Sequence, residues 1–201
     1  MNTEESIKNW SSVKNFTDEE VSKQKLEEVF ELTTNAPTAF NLQPYRFIVL
    51  DSDDEKQKAV NSAVETNKWI SDADKIVVLI GFEDIDRNSG KAIEDMIKND
   101  RTDSSGAQKL KSMFEDYKTR SDEFLTGWLT RNTFIPATFF MLSCKSKGIG
   151  SCPVRGFDKE FLSEELSLPE KERPMLLIPI GYSEKDSRSW RRSPEKIFSI
   201  R

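Results

Sequence analysis

Residues 36–47 read APTAFNLQPYRF and lead directly from a predicted helix into a predicted strand. Pro37 ends the helix, because the residue before a proline is sterically disfavoured in the helical region. The strand begins at Phe47, where successive apolar residues favour extended structure. Taken by themselves, Asn41 and Gln43 fit a turn between Pro37 and Pro44, in which both side chains hydrogen-bond their own backbone.

The elements on either side of this segment predict an α+β fold. Thr17 and Glu20 have the pattern of a capping box, which would start a helix whose apolar face repeats every three or four residues up to Thr33. Further helices are expected at residues 51–64, 86–100 and 108–147. Apolar runs predict buried strands at residues 76–80 and 175–180. A last short strand is expected at residues 197–200, and the whole order predicts one domain over residues 1–201.

The charge balance and the absence of histidine limit the functions that are open to this chain. It has 201 residues, with 35 acidic and 30 basic side chains, no histidine and a net charge of -5. Without imidazole, a Ser-His-Asp or Cys-His catalytic unit and a histidine-ligated zinc site are excluded within one chain. The acidic balance argues against broad binding to nucleic acid or anionic membranes, but it leaves room for a local basic site. Reactive chemistry would therefore come from a bound group.

The N-terminal residues and the cysteines predict a cytoplasmic protein. Residues 1–14 are polar and lack the apolar stretch of a secretion signal. No apolar run approaches the length that is needed to span a bilayer, so we expect no membrane anchor. Cys144 and Cys152 lack the spacing of a CxxC motif. We therefore expect two buried or half-buried free thiols in a reducing compartment, and a redox or disulfide role is the alternative.

Several segments together resemble the nitroreductase family of FMN-dependent oxidoreductases. Residues 36–45 match the family pattern Ala-Pro-(Ser/Thr)-x-x-Asn-x-Gln-Pro-(Trp/Tyr). Four more segments match motifs of the family and occur in the family's order. They are the opening motif that contacts the flavin (residues 11–16), the loop that passes the flavin rings (148–158), the closing Gly-Tyr pair (181–182) and the basic phosphate-binding connector (191–195). Trp128, Arg131 and Asn132 also match one branch of the family. The resemblance covers essentially the whole chain.

The resemblance implies an FMN enzyme that works as an intertwined homodimer. Its fold would be nitroreductase-like, with a small mixed central sheet flanked by helices and a C-terminal strand added to the partner's sheet. Hydride would pass from NAD(P)H through N5 of the flavin to a nitroaromatic, quinone-like or other electron-poor acceptor in a ping-pong cycle. No catalytic side chain is expected, because the chemistry resides in the cofactor.

The resemblance also assigns the residues that would surround the flavin. Ser12, Arg191 and Arg192 would hold the phosphate, for which guanidinium groups are well suited. Lys14 would lie nearer the ribityl chain and the pyrimidine edge, where negative charge appears on reduction. The other cofactor contacts would be Asn67, Pro153, Val154, Arg155 and Gly156 of the same chain, and Pro37, Thr38, Ala39 and Asn41 of the partner.

Two residues depart from the family pattern. Trp10 stands where the family usually has its first arginine, which removes one cation from the phosphate site. Arg188 or Lys8 could compensate, and otherwise FMN would bind more weakly. Arg155 stands where close relatives commonly carry an acidic residue. If its side chain faces the flavin, it would raise the reduction potential or favour anionic acceptors; if it faces solvent, only its backbone matters.

Other functions fit the same residues. Relatives of the family also carry out dehydrogenation, dehalogenation and flavin-fragmenting reactions. A flavin-binding or flavin-storage protein with little turnover would fit the departures at Trp10 and Arg155, and a purely structural acidic dimer is a further alternative. Phe114 and Phe124 lie in a variable helical region that covers the pocket in the family. They are candidate substrate contacts, and ordinary core packing is the alternative for both.

Overall fold

The computed structural model of the chain describes residues 1–184 and 189–200, which form helices around one sheet. The α-helices are Thr3–Asn9 (α1), Lys23–Thr33 (α2), Asp53–Ser62 (α3), Asp86–Lys98 (α4), Ser104–Lys118 (α5), Asp122–Ser146 (α6) and Lys159–Glu165 (α7). The strands are Tyr45–Leu50 (β1), Lys75–Phe82 (β2), Gly150–Ser151 (β3) and Glu172–Gly181 (β4). Short 3-10 helices occur at Ala39–Asn41, Glu65–Asp72 and Pro194–Lys196. The predicted α+β class is confirmed.

The four strands form a sheet in the order β1-β2-β4-β3, and each neighbouring pair is antiparallel. β2 is buried along its whole length, as its apolar run predicts. Phe47 of β1 lies opposite Leu79 of β2, and this register continues along both strands. A single bridge between Ser12 and Ser151 is the only parallel pairing among the described residues, so the mixed character of the sheet is limited to that bridge.

Helices cover both faces of the sheet and create two apolar cores. Successive residues of β2 point to opposite faces, as the two-residue period of a strand requires. Val77 and Leu79 belong to a cluster with residues of α2, α5 and α6. Ile76 and Val78 belong to a second cluster with residues of α3 and α7. α6 has 25 residues, but no described helix, α6 included, has both the length and the apolarity to cross a membrane.

α2 begins later than the predicted capping box. The Ser22 hydroxyl caps this helix by accepting a hydrogen bond from the Lys25 amide at 3.3 Å. The predicted box at Thr17 and Glu20 is therefore wrong. The Thr17 amide instead donates to the Tyr182 carbonyl at 2.9 Å. This contact ties the segment before α2 to the end of β4, and a tertiary hydrogen bond has replaced the local one.

The fourth strand is not the one that the sequence predicts. The apolar run at residues 197–200 follows the last 3-10 helix and pairs with no described strand. Its side chains are exposed, and Ile200 is 92 % accessible. Strand structure requires a neighbour that satisfies the backbone donors and acceptors, which this segment does not find among the described residues. β3 is the fourth strand of the sheet instead, and its two residues are too few for a recognisable strand pattern in the sequence.

A buried carboxylate joins three elements at the start of β4. Glu172 is 5 % exposed and accepts hydrogen bonds from Arg46 of β1 at 2.8 Å and from Arg87 of α4 at 2.6 Å. Burial by itself would raise the pKa of the Glu172 carboxyl. The hydrogen bonds from Arg87 and Arg46 outweigh burial, so the pKa is lowered. The ionised form of Glu172 therefore stabilises the fold.

We expect Glu172→Gln to lower the free energy of unfolding by about 2 kcal/mol at pH 7, because charge-assisted hydrogen bonds become neutral ones. A carboxyl with a depressed folded pKa stabilises the protein above its unfolded pKa of about 4.3. That contribution is lost as the pH falls through the folded pKa, so the gap between wild type and variant should close in urea titrations below about pH 4.

Glu83→Gln is the matched control, because Glu83 forms a more exposed ion pair with Arg173. Its loss should cost less than about 0.5 kcal/mol. Equal losses for Glu172→Gln and Glu83→Gln, or a gap that persists at low pH, would contradict the role given to Glu172.

Candidate functional site

The N-terminal segment runs beside β3 and presents polar side chains there. The Val13 amide donates to the Ser151 carbonyl at 3.1 Å, next to the bridge between Ser12 and Ser151. Val13 is buried, whereas Ser12 and Lys14 are exposed, which is the alternation of an extended chain. Gly150 permits this close approach, because a Cβ there would lie 2.9 Å from Val13 Cγ2. Ser12 and Lys14 therefore project from the edge of the sheet.

The loop after β3 is fixed to β4 and to the turn that carries Asn67. Val154 exchanges two backbone hydrogen bonds with Leu177, at 2.8 and 3.0 Å. The Gly156 carbonyl accepts from the Val64 amide at 3.0 Å and from Asn67 Nδ2 at 3.1 Å. A Cβ at position 156 would lie 2.7 Å from the same Nδ2 atom, so a larger residue here would displace the Asn67 side chain. Asn67 and the loop backbone are thus held as one unit.

These segments converge on one surface. Lys14 Nζ lies 5.4 Å from the centre of the Trp69 ring, and Trp69 is in the same 3-10 helix as Asn67. We refer to Ser12, Lys14, Asn67 and residues 153–156 as the donor patch. It combines a hydroxyl, an ammonium, an amide and backbone N–H groups, which suits a ligand rich in acceptors and negative charge. Residues that the sequence places in separate motifs thus meet within one chain.

Both cysteines are free and buried, as predicted. Burial raises the pKa of the Cys152 thiol, and a hydrogen bond with Ser12 and the charge of Lys14 oppose this shift without cancelling it. Burial also raises the pKa of Cys144. Both thiols therefore stay protonated near neutral pH, and neither has the thiolate character of a nucleophile.

The loop at residues 37–43 has a strained backbone. Phe40, Asn41 and Gln43 have φ values of 54°, 54° and 45°. This left-handed region costs a residue with a side chain about 1 kcal/mol or more. The Gln43 amide donates to Thr38 Oγ1 at 3.0 Å, and Gln43 Nε2 donates to Asn41 Oδ1 at 3.1 Å. The Asn41 and Gln43 side chains bond to each other, which differs from a turn in which each bonds only its own backbone.

Two asparagines from different helices contact this loop. Asn132 of α6 is 5 % exposed, and its Oδ1 accepts the Ala39 amide at 2.7 Å. Asn88 of α4 donates from Nδ2 to the Leu42 carbonyl at 2.9 Å. From the sequence, Asn132 is identified only as part of a family motif, and Asn88 is not identified. A polar residue on the buried face of α6 was the available signal for Asn132.

The C-terminal cations Arg191 and Arg192 bond to no described residue of the donor patch in the single chain. Arg191 and Arg192 are exposed, and Arg191 Nη1 donates to the carbonyls of Ser189 and Trp190 at 3.2 and 3.1 Å. Within residues 1–184 and 189–200, no hydrogen bond or ion pair joins either arginine to the patch. Their contact with a phosphate stays a prediction for the assembled protein. Arg188, the other cation considered for that role, lies outside the described residues.

The residue that replaces the family arginine follows α1. Trp10 is the C-cap of this helix, and its indole Nε1 is buried without a hydrogen-bond partner in the part of the chain that the structure describes. Lys8 is exposed and forms an ion pair with Glu4 on its own helix. Lys8 is thus paired within its own helix, and compensation for the missing cation stays a prediction.

The two candidate substrate contacts have different surroundings. Phe114 is 2 % exposed and packs edge-to-face against Phe40, with ring centres 5.6 Å apart. Phe124 is half-buried and packs edge-to-face against Tyr117 at 5.3 Å. Phe114 is therefore a core residue of the single chain, and Phe124 keeps an accessible face. Contact of either ring with a substrate stays a prediction.

Comparison with known proteins gives matches along most of the chain. The sequence profile of the Nitroreductase family matches residues 7–182. YodC of Bacillus subtilis, which is named provisionally as an NAD(P)H nitroreductase, is 28 % identical over 194 residues that cover 96 % of this chain and 95 % of YodC. Spy0809 of Streptococcus pyogenes has the same provisional name and is 30 % identical over 195 residues, which cover 94 % of each chain.

Solved structures share the fold. A nitroreductase family protein of Streptococcus pneumoniae is 26 % identical, with a TM-score of 0.83 and coverage of 100 % of both chains. A structure from Exiguobacterium sibiricum, described as a complex with FMN, is 19 % identical with a TM-score of 0.85, and the match covers 100 % of this chain and 98 % of that one. These matches confirm the expected nitroreductase-like fold of the single chain, whereas the homodimer and the added C-terminal strand stay predictions.

Proposed function

This chain belongs to the nitroreductase family, and from that premise we propose that it is an FMN-dependent NAD(P)H oxidoreductase. Its acceptors would be nitroaromatic, quinone-like or other electron-poor compounds. The donor patch is the observation that carries the proposal, because one chain brings together a cation, a hydroxyl, an amide and the glycine loop.

We also propose a cytoplasmic location, with which two free thiols are compatible.

The donor patch fits the chemistry of FMN, which has a phosphate dianion at one end and ring carbonyl and nitrogen acceptors at the other. The backbone amides of Arg155 and Gly156 enter no hydrogen bond with a described residue. The hydroxyl of Ser151, whose backbone bridges to Ser12, is buried and also has no such partner. Unused donors beside a cationic side chain are what an acceptor-rich ligand would complete.

Each residue of the patch has a separate task in this proposal. FMN, when bound, would supply hydride transfer between the nicotinamide and the acceptor. Lys14 would stabilise the negative charge that appears at the pyrimidine edge on reduction. Asn67 would orient that edge, and Ser12 would bind the phosphate together with the C-terminal arginines. No side-chain nucleophile is required, in agreement with the protonated state of Cys152.

We propose that two copies share each site. β1 is an edge strand of the sheet, with one side unpaired among the described residues. The exposed apolar run at residues 197–200 would add a strand to the partner's sheet, and Ile135 and Phe139 of α6 are 40 % and 36 % exposed. Covering such side chains favours association. The loop at residues 37–43 would then reach the cofactor of the other copy.

A reduction assay separates this function from flavin storage. Protein reconstituted with FMN is mixed anaerobically with NADH or NADPH, and the flavin absorbance is followed before and after addition of a nitroaromatic or a quinone. We expect the flavin absorbance to bleach rapidly with NADH or NADPH and to return when the acceptor is added. Slow or absent bleaching would favour a storage protein, and protein that cannot be reconstituted with FMN would exclude both flavin functions.

Trp10→Arg tests the missing phosphate cation. We expect the variant to bind FMN about tenfold more tightly and with a steeper salt dependence, because a guanidinium adds a charge-assisted hydrogen bond. Trp10→Phe is the matched control, since it removes the unpaired indole N–H without adding a cation. Fluorescence titrations at two salt concentrations measure both effects. An Arg variant that binds no more tightly than the Phe variant would show that position 10 does not face the phosphate.

Arg155→Glu tests the second departure from the family pattern. Arg155 is exposed and forms no ion pair with a described residue, so its charge is not neutralised locally. We expect the variant to lower the reduction potential of the bound flavin, because a positive charge beside the ring favours the reduced form. Spectroelectrochemical titration gives the potential. An unchanged or higher value would mean that only the backbone of this residue matters.

A further inference from the structure

The loop at residues 37–43 is held from two sides by asparagine side chains. We propose that Asn132 and Asn88 are positioning residues, which preform this loop in each chain for the cofactor of the partner. The proposal rests on the proposed function, because the flavin of the second copy is the ligand that the loop would meet. It adds two residues that no cofactor-binding motif of the sequence includes.

The loop needs external support because its conformation is unfavourable. Phe40 and Asn41 are adjacent and both left-handed, and Gln43 follows with the same sign of φ. Strained residues of this kind persist only where the surrounding structure holds them. The two asparagines act at the ends of the 3-10 helix: Asn132 binds the amide of its first residue, Ala39, and Asn88 binds the carbonyl that follows its last residue.

Asn132 is well placed to act as a rigid support. Its Oδ1 accepts the Ala39 amide at 2.7 Å, and its Nδ2 donates to the Trp128 carbonyl of α6 at 2.9 Å. One half of the side-chain amide is thus fixed to the helix and the other half to the loop. Pro136 lies four residues later and has no N–H for the Asn132 carbonyl, so this turn of α6 is also locally irregular. A buried amide is stable only when bonded in this way.

Asn88 supports the opposite end of the loop from α4. Its Nδ2 donates to the Leu42 carbonyl at 2.9 Å and lies 3.3 Å from the Gln43 carbonyl. Asn88 also lines a cavity of about 350 Å³ together with Asn41, Gln43 and Lys91. Asn41 is exposed beside this cavity. The support therefore leaves the side chain of Asn41 open to a ligand while the backbone behind it is fixed.

Asn132→Leu removes the support with a side chain of similar size. In cofactor-free protein, we expect the Ala39 amide to exchange its hydrogen faster, as measured by NMR. In the reconstituted dimer, we expect FMN to bind about tenfold more weakly, which corresponds to the loss of one good hydrogen bond. Thr133→Val is the control, because Thr133 is fully buried and its hydroxyl donates within α6 to Leu129 without touching the loop.

Asn88→Leu is the second variant, and it guards against a folding failure of Asn132→Leu because Asn88 is only half-buried. Its control is Ser89→Ala, which removes a hydroxyl that bonds within α4. Both asparagine variants should stay dimeric by sedimentation and weaken FMN binding, whereas both controls should bind FMN like the wild type.

The outcomes separate this proposal from the proposed function. If the wild type binds FMN and both asparagine variants bind it equally well, the positioning role is overturned and the proposed function stands. The same holds if the controls weaken FMN binding as much as the asparagine variants, since the effect would then follow stability alone. A wild-type protein that binds no FMN would overturn the proposed function, and the positioning role with it.

Discussion

Lys14→Met is expected to slow reduction of the bound flavin by NADH or NADPH by about 100-fold or more. Preorganised charge at a position where negative charge develops is often the largest single contribution to a rate, and removing one such group commonly costs a factor of 100 to 1,000. The donor patch has two cationic side chains, Lys14 and Arg155. The Nζ atom of Lys14 lies over the Trp69 ring. Methionine keeps an unbranched side chain of similar length and removes the ammonium with its charge and its N–H donors.

Anaerobic stopped-flow reduction of reconstituted protein measures this effect. Lys23→Met is the matched control, because Lys23 is highly exposed and forms only a 3.7 Å ion pair with Glu27 on the same helix. The reduction potential of the flavin should fall in the Lys14 variant and stay constant in the control. A Lys14 variant that is reduced within threefold of the wild-type rate would show that this ammonium does not face the pyrimidine edge.

Gly156→Val is expected to weaken FMN binding by about 100-fold. The new Cβ would lie 2.7 Å from Asn67 Nδ2 and 3.0 Å from Val64 Cγ2, so both residues would have to move. Displacing the Asn67 side chain would break its hydrogen bond to the Gly156 carbonyl. The loop amides and Asn67 would lose their alignment together, and two or more cofactor hydrogen bonds would be lost at once.

Gly90→Val controls for the substitution itself. Among the described residues, no atom outside α4 lies within 4 Å of a Cβ at position 90, and valine is a better helix former than glycine. We expect this variant to bind FMN like the wild type and to be at least as stable. Fluorescence titration gives the FMN affinity, and thermal unfolding of cofactor-free protein reports on stability. A Gly156 variant that keeps its FMN affinity would contradict the placement of the flavin against this loop.

Much of the fold was predictable because its signals are local. The apolar run of β2 and the helical period of α2 are properties of short segments. β2 forms where the sequence predicts it, and α2 ends at the predicted residue but begins later than predicted. The capping box at Thr17 failed because the amide of that residue bonds to Tyr182, which is distant in the sequence. The run at residues 197–200 has strand-forming residues but no neighbouring strand within the described chain. Local patterns do not specify such partners.

The family resemblance names candidate members of the site but does not give the geometry. Family resemblance supplies Ser12, Lys14 and Asn67, whereas their proximity depends on the bridge to Ser151 and on the hydrogen bond to Gly156. Neither contact has a signature in its own segment. The asparagines that hold the loop at residues 37–43 are harder to predict. A single polar residue on a buried helix face indicates that it has a hydrogen-bond partner, but it does not indicate which residue that partner is.

Titration of cofactor-free protein with FMN tests the donor patch most directly. Quenching of flavin fluorescence is followed for the wild type and for Lys14→Met, Gly156→Val, Lys23→Met and Gly90→Val. We predict saturable binding of about one FMN per chain, weakened in the first two variants and unchanged in the last two. Absence of saturable binding in the wild type, or equal binding by all four variants, would contradict a flavin site built from Lys14 and the Gly156 loop.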